Sequence, residues 1–134
     1  MTSGEAALAA EFSLPIRVYI EDTDAGGIVY YVNYLKFIER ARTEFMRHHG
    51  WDRQAIFNEG MMFVVHDAAM RYRRPARLDD RLRATVGVLR AAGATLELQQ
   101  NVYRESAASP EPELLAEGRV TLACVHRESL FPRR

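Results

Sequence analysis

A chain of 134 residues suffices for one domain with a real hydrophobic core and is too short for two. It is 48% apolar and 27% charged, as a soluble globular protein is, and its 18 basic residues balance 18 acidic ones, so no global field favours nucleic acid. Cys124 is the only cysteine, which excludes an intramolecular disulfide and a cysteine-built zinc site and fits a reducing, cytoplasmic setting.

The opening "MTSGEAALAAEFSLP" lacks a basic start and a long apolar run, so it reads as a flexible tail (residues 1–13) rather than a signal peptide, with one domain over residues 14–134. No stretch reaches the roughly 20 apolar residues that span a bilayer. "IRVYIE" (Ile16–Glu21) alternates Ile16, Val18 and Ile20 with Arg17, Tyr19 and Glu21 and predicts a strand, broken by Gly26-Gly27. From about Tyr31 the period changes. Tyr34, Ile38, Ala41 and Phe45 fall on one face of an amphipathic helix of roughly 18 residues, which basic "RHH" and Gly50 close.

Trp51–Gly60 reads as a connector. "MMFVVHDAAMRYRRPA" is a long strand, and Ala76–Asp80 a turn. The next strand alternates through Leu82, Ala84, Val86 and Val88, and Ala91–Ala94 turns into another through Leu96, Leu98 and Val102. Glu105–Glu113 reads as a polar loop, and the last strand as about Leu114–Val125. The fold class is therefore α+β: one antiparallel sheet of about five strands on one main helix. One helix covers only one face of such a sheet, which predicts a homo-oligomer.

The densest chemistry lies between the first strand and the helix, in "EDTDAGGIVYY". As a calcium loop it fails twice, because Gly26 takes position 5 and Asn33, rather than a bidentate glutamate, takes position 12. As a phosphoryl-transfer site it would need further acidic and basic groups spread over the loops of a larger α/β fold, whereas this chain is short and its later strands read as antiparallel. A third reading is a carboxylate beside a helix start, whose first amides are unpaired and able to stabilise an oxyanion. That is acyl-transfer chemistry without serine, cysteine or metal. Against it stands the plain reading of a cap or turn aspartate.

The stretch "RVYIEDTDAGGIVYYVNYLKFIERAR" resembles the hot-dog-fold acyl-CoA thioesterases of the 4-hydroxybenzoyl-CoA thioesterase type, most of all their Tol-Pal-associated branch. "FVVHDAAMRYRRPARLDDRLRATVGV" is similar to that branch's central strands, and the likeness covers about residues 15–126. The resemblance implies a long helix wrapped by a curved sheet, subunits paired as dimers or dimers of dimers with active sites between them, and no cofactor. It puts the catalytic carboxylate on Asp24 and the carbonyl-polarising amide on Tyr31. Many members of that branch carry histidine where this chain has Tyr31; a backbone amide survives that exchange, but an imidazole base does not.

The expected reaction is acyl-CoA plus water giving a free acid and CoA, with acyl carrier protein as a further partner. Asp22 is expected to hold the loop. Gly27 lets the backbone approach a ligand, Tyr30 and Tyr34 pack or line an acyl pocket, and Asn33 orients water or the loop. His66 is a mid-strand pocket candidate. Arg71, Arg73, Arg74 and Arg90 are candidates for the CoA phosphates, since guanidinium suits phosphate. Glu39 and Glu44 fit ion pairs with neighbouring arginines, and adjacent His48 and His49 cannot form a metal pair on one helix face. The alternatives are a non-hydrolytic acyl-binding or envelope-associated interaction protein, and a dehydratase of the same fold. The latter relies on histidine, and residues 12–47 contain none.

Overall fold

The computed structural model describes residues 12–50 and 60–126. Five strands, β1 (Phe12–Arg17), β2 (Met61–Tyr72), β3 (Arg81–Ala92), β4 (Thr95–Ser106) and β5 (Ser109–His126), form one antiparallel sheet in the order β1-β3-β4-β5-β2. The single long helix, α1 (Val32–His48), lies across one face of it.

The helix forms where the apolar period predicts it. Tyr34, Phe37, Ile38, Ala41 and Phe45 are its buried stripe, and they meet Leu82, Ala84 and Val86 of β3, Leu98 and Val102 of β4, and Leu115, Val120 and Leu122 of β5. Burying each large apolar side chain contributes roughly 1.5–3 kcal/mol, so this layer holds the helix to the sheet. One polar side chain sits inside it. Gln100 is fully buried; its Nε2 donates to Ile38 O at 2.8 Å, and its Oε1 accepts from Arg42 Nη1 at 3.0 Å. Gly50, at φ 84°, ends the helix in a conformation that side chains resist.

Two expectations change. β1 starts at Phe12, inside the segment read as a tail, and ends at Arg17; Ile20–Asp22 instead forms a 3-10 turn. Alternation misled here, since Ile20 is 77% exposed and has no core to face. The polar loop Glu105–Glu113 is a continuation of two strands, joined by a turn at residues 107–108. Arg104 Nε donates to Glu113 across it at 3.0 Å. Pro110 and Pro112 fit because β2 pairs with β5 only up to Ala116, so this end of β5 has one neighbour and one side needing no donor. The remainder of the expected tail and nearly all of the connector Trp51–Gly60 lie outside the described residues.

Candidate active site

Two contacts turn the chain out of β1. Tyr19 N–H donates to Asp22 Oδ2 at 2.9 Å, while Asp22 N–H donates to Tyr19 O at 2.9 Å. Asp22 is buried by this exchange. The chain then makes a small hairpin: Thr23 bridges Val29, Asp24 N–H donates to Ile28 O at 3.0 Å, and Gly27 N–H donates to Asp24 O at 3.0 Å. Ala25-Gly26-Gly27 is thus a three-residue connection whose last position takes a positive φ, here 74° at Gly27. Asp24 Oδ1 accepts the Gly26 amide at 2.9 Å. Its other oxygen has no partner among the described residues. The turn and the carboxylate candidate are one residue.

The hairpin feeds directly into α1. Tyr30 N–H and Asn33 Nδ2 both donate to Asp22 O, at 3.2 and 2.7 Å, so Asn33 is a buried tie between helix and loop. Tyr31, the N-cap, makes no side-chain cap. The amides of Tyr31 and Val32 find no acceptor among the described residues, at the positive end of the helix dipole.

A third short strand completes the corner. Val29 N–H donates to Ala76 O at 2.8 Å and Leu78 N–H to Gly27 O at 3.1 Å, with Ile28 opposite Arg77. Ala76 N–H donates to the Tyr34 hydroxyl at 2.8 Å, and Arg104 Nη1 reaches Pro75 O and Asp80 Oδ2 at 3.2 and 2.8 Å. Above the helix start the tyrosines form a ladder, with ring centroids 4.9 Å apart for Tyr30 and Tyr31, 5.8 Å for Tyr31 and Tyr72, and 5.3 Å for Tyr72 and Tyr34. Burial raises the Tyr34 and Tyr72 phenols above 10.0. Tyr72 was not singled out from sequence, because only the fold brings the end of β2 to the helix start.

Asp24, Gly27, Tyr30, Tyr31 and Asn33 therefore share one corner. His66 and Arg90 do not join them within one chain. His66 is the unpaired residue of a bulge in β2, about 20 Å along the strand from Tyr72. Arg90 follows a bulge in β3, about 30 Å along the strand from Arg81. Arg74 is held by Glu113 at 3.2 Å and Arg73 by Glu117 at 3.1 Å. On the helix, Glu44 pairs with Arg47. Among the described residues no cluster of His, Cys, Asp or Glu is arranged to hold a metal.

A family model described as the thioesterase-like superfamily matches residues 18–132. The chain belongs to this superfamily. It is an enzyme of the thioesterase class with the hot-dog architecture that its sequence led one to expect: a long helix on a five-stranded antiparallel sheet. It is 42% identical over 122 residues to the acyl-CoA thioester hydrolase YbgC of Escherichia coli O6:H1, covering 91% of this chain and 87% of the relative. The acyl-CoA thioesterase YbgC of Haemophilus influenzae is 40% identical over 122 residues, covering 90% and 85%. Among solved structures, a probable thioesterase from Bartonella henselae superposes with a TM-score of 0.82 at 31% identity, over 93% of this chain and 98% of the other.

Proposed function

We propose that the protein hydrolyses acyl-CoA thioesters, with Asp24 as nucleophile or general base and the Tyr31 amide polarising the thioester carbonyl. The observation that carries this reading is the corner itself: a carboxylate with one oxygen, and helix-start amides, that find no partner among the described residues, joined by one hairpin. The YbgC relatives support acyl-CoA as the substrate class.

The carbonyl oxygen takes the Tyr31 amide, which as an oxyanion-hole donor is worth about 3–4 kcal/mol in the transition state. Asp24 either attacks the carbonyl carbon, expelling CoA thiolate and leaving an acyl anhydride that water cleaves, or takes a proton from the water that attacks. In both routes the thiolate leaves readily and is protonated by solvent, so no strong acid is required. Asn33 holds the loop through the bond from its Nδ2 to Asp22 O. Gly27 gives the loop its turn.

A homo-oligomer fits this site. Among the described residues β2 has no strand on its outer side, Val65 is 51% exposed and Tyr72 42% exposed, and pairing two chains there would complete a cleft beside the tyrosines. Such an assembly is also the arrangement in which His66 and Arg90 could reach a site. The lone cysteine supports a cytoplasmic setting, and no described helix is long and apolar enough to cross a membrane.

The test is thiol release from a panel of acyl-CoA and acyl carrier protein thioesters. The parent protein should release thiol and Asp24→Asn should not, at unchanged melting temperature. Equal rates would overturn the mechanism, and saturable binding without release would favour a non-hydrolytic acyl-binding protein. A single turnover in H2 18O identifies the nucleophilic route when water cleaves the anhydride at Asp24 Cγ: label then enters the Asp24 carboxylate, whereas the general-base route puts it only in the released acid.

A further inference from the structure

We propose that Arg77 holds a phosphate of the coenzyme A portion of the substrate, so that Asp24, Ile28 and Arg77 form one strip along which the thioester lies. This rests on Asp24 being the reacting carboxylate.

The strip follows from the small ladder beside the helix. Asp24 faces Ile28 across the hairpin, and Ile28 faces Arg77 across the next pairing. Residues directly opposite one another in antiparallel pairs project to the same face. The two steps put the Cα atoms of Asp24 and Arg77 about 10 Å apart. The neighbouring pair, Val29 and Ala76, is 4% and 0% exposed and marks the inward face, so the strip is the outward one. Asp24 and Arg77 are exposed and Ile28 is half-buried.

Arg73, Arg74, Arg83 and Arg104 each reach a carboxylate, and an arginine already neutralised offers a dianion little. Arg71 and Arg81, like Arg77, lack a carboxylate partner among the described residues, but only Arg77 is paired into the ladder with Ile28, and its charge is available. Neither neighbouring aspartate holds it: Asp79 makes no ion pair among the described residues, and Asp80 Oδ2 accepts the Arg77 backbone amide at 2.8 Å and Arg104 Nη1 at 2.8 Å. No carboxylate contacts the Arg77 guanidinium among the described residues, which leaves its planar fork for a phosphate. The order carboxylate, apolar side chain, guanidinium matches a thioester carbonyl, its linking arm and the nucleotide phosphates. Arg74, a candidate from sequence, is engaged with Glu113, and Arg90 lies far along β3.

The experiment compares one acyl group on two carriers, coenzyme A and pantetheine, the second lacking the nucleotide phosphates. For Arg77→Ala the KM of the CoA thioester should rise about tenfold, the loss of one charge-assisted bond, while that of the pantetheine thioester moves less than twofold. Arg77→Lys should recover part of the loss. Equal shifts on both carriers, or none on either, overturn the proposal. If the parent hydrolyses neither thioester, the hydrolytic reading fails on its own. Calorimetric titration with free coenzyme A then decides on Arg77: tighter binding by the parent than by Arg77→Ala supports the phosphate contact, and equal binding ends it.

Discussion

Asn33 Nδ2 donates to the backbone oxygen of Asp22 at 2.7 Å, and this buried bond ties the first turn of α1 to the loop that carries Asp24. Asp22 O also accepts from Tyr30, so Asn33→Leu removes one of two donors without leaving that oxygen bare. The expected cost is about 1 kcal/mol. Asn33→Asp faces a carboxylate oxygen with a carbonyl oxygen and should cost about 3 kcal/mol. Urea denaturation of the two variants tests the order; equal midpoints would show that the tie does not hold the loop.

Gly27, at φ 74°, has open space where a Cβ would stand, so only backbone strain opposes substitution there. Gly27→Ala should cost about 1–2 kcal/mol and Gly27→Asn distinctly less, since asparagine tolerates the left-handed region. Thermal melts of both variants check this. A neutral Gly27→Ala would mean that the turn relaxes. Gly26 differs: its added Cβ would meet Asp24 Oδ1 at 3.4 Å, ordinary contact, so Gly26→Ala should melt close to the parent.

Much of this was legible in the residues. The change of period at Tyr31, the glycines at 26–27 and the alternation of Leu82, Ala84 and Val86 gave the helix, the hairpin and a buried strand, because each reflects a local steric or periodic demand. Ile20–Asp22 and Glu105–Glu113 were misread for one reason. What decides them is a partner distant in sequence or a side-chain bond, Asp22 to Tyr19 N in the first case and Arg104 to Glu113 in the second. In the candidate site the same division holds. Sequence pointed to the loop and to Asp24 as a candidate, but weighing Arg77 against Arg74 requires knowing which guanidinium already has a carboxylate.

The hydrogen bond from Arg104, together with the charges of Arg104 and Arg74, holds Glu113 below its usual 4.5. A carboxylate with a depressed folded pKa adds stability above its unfolded pKa and loses it as pH falls through the folded value. The parent should therefore lose stability as pH falls below 4.5, and Arg104→Gln should show a shallower loss there, on top of a lower plateau at neutral pH. Urea midpoints at about pH 6 and about pH 3.5 read both effects. Parallel curves for the two proteins would show that Glu113 titrates as it does unfolded.

Gly118 stands mid-sheet on β5, opposite Gln100 of β4 and Met70 of β2. A Cβ there would lie 2.5 Å from Met70 Sδ and 2.8 Å from Gln100 O. The methionine is flexible and can swing away, but the carbonyl belongs to a central strand whose side chain holds the helix through Ile38 O. Gly118→Ala should thus destabilise by about 1–3 kcal/mol, as overpacking does. Met70→Ala in the same chain should recover only part of that, because the carbonyl clash remains. Melting temperatures of the two single variants and the double variant decide it. Full recovery would assign the crowding to the sulfur alone, and a neutral Gly118→Ala would mean that β4 and β5 part without cost at this point, contrary to the tight packing beneath the helix.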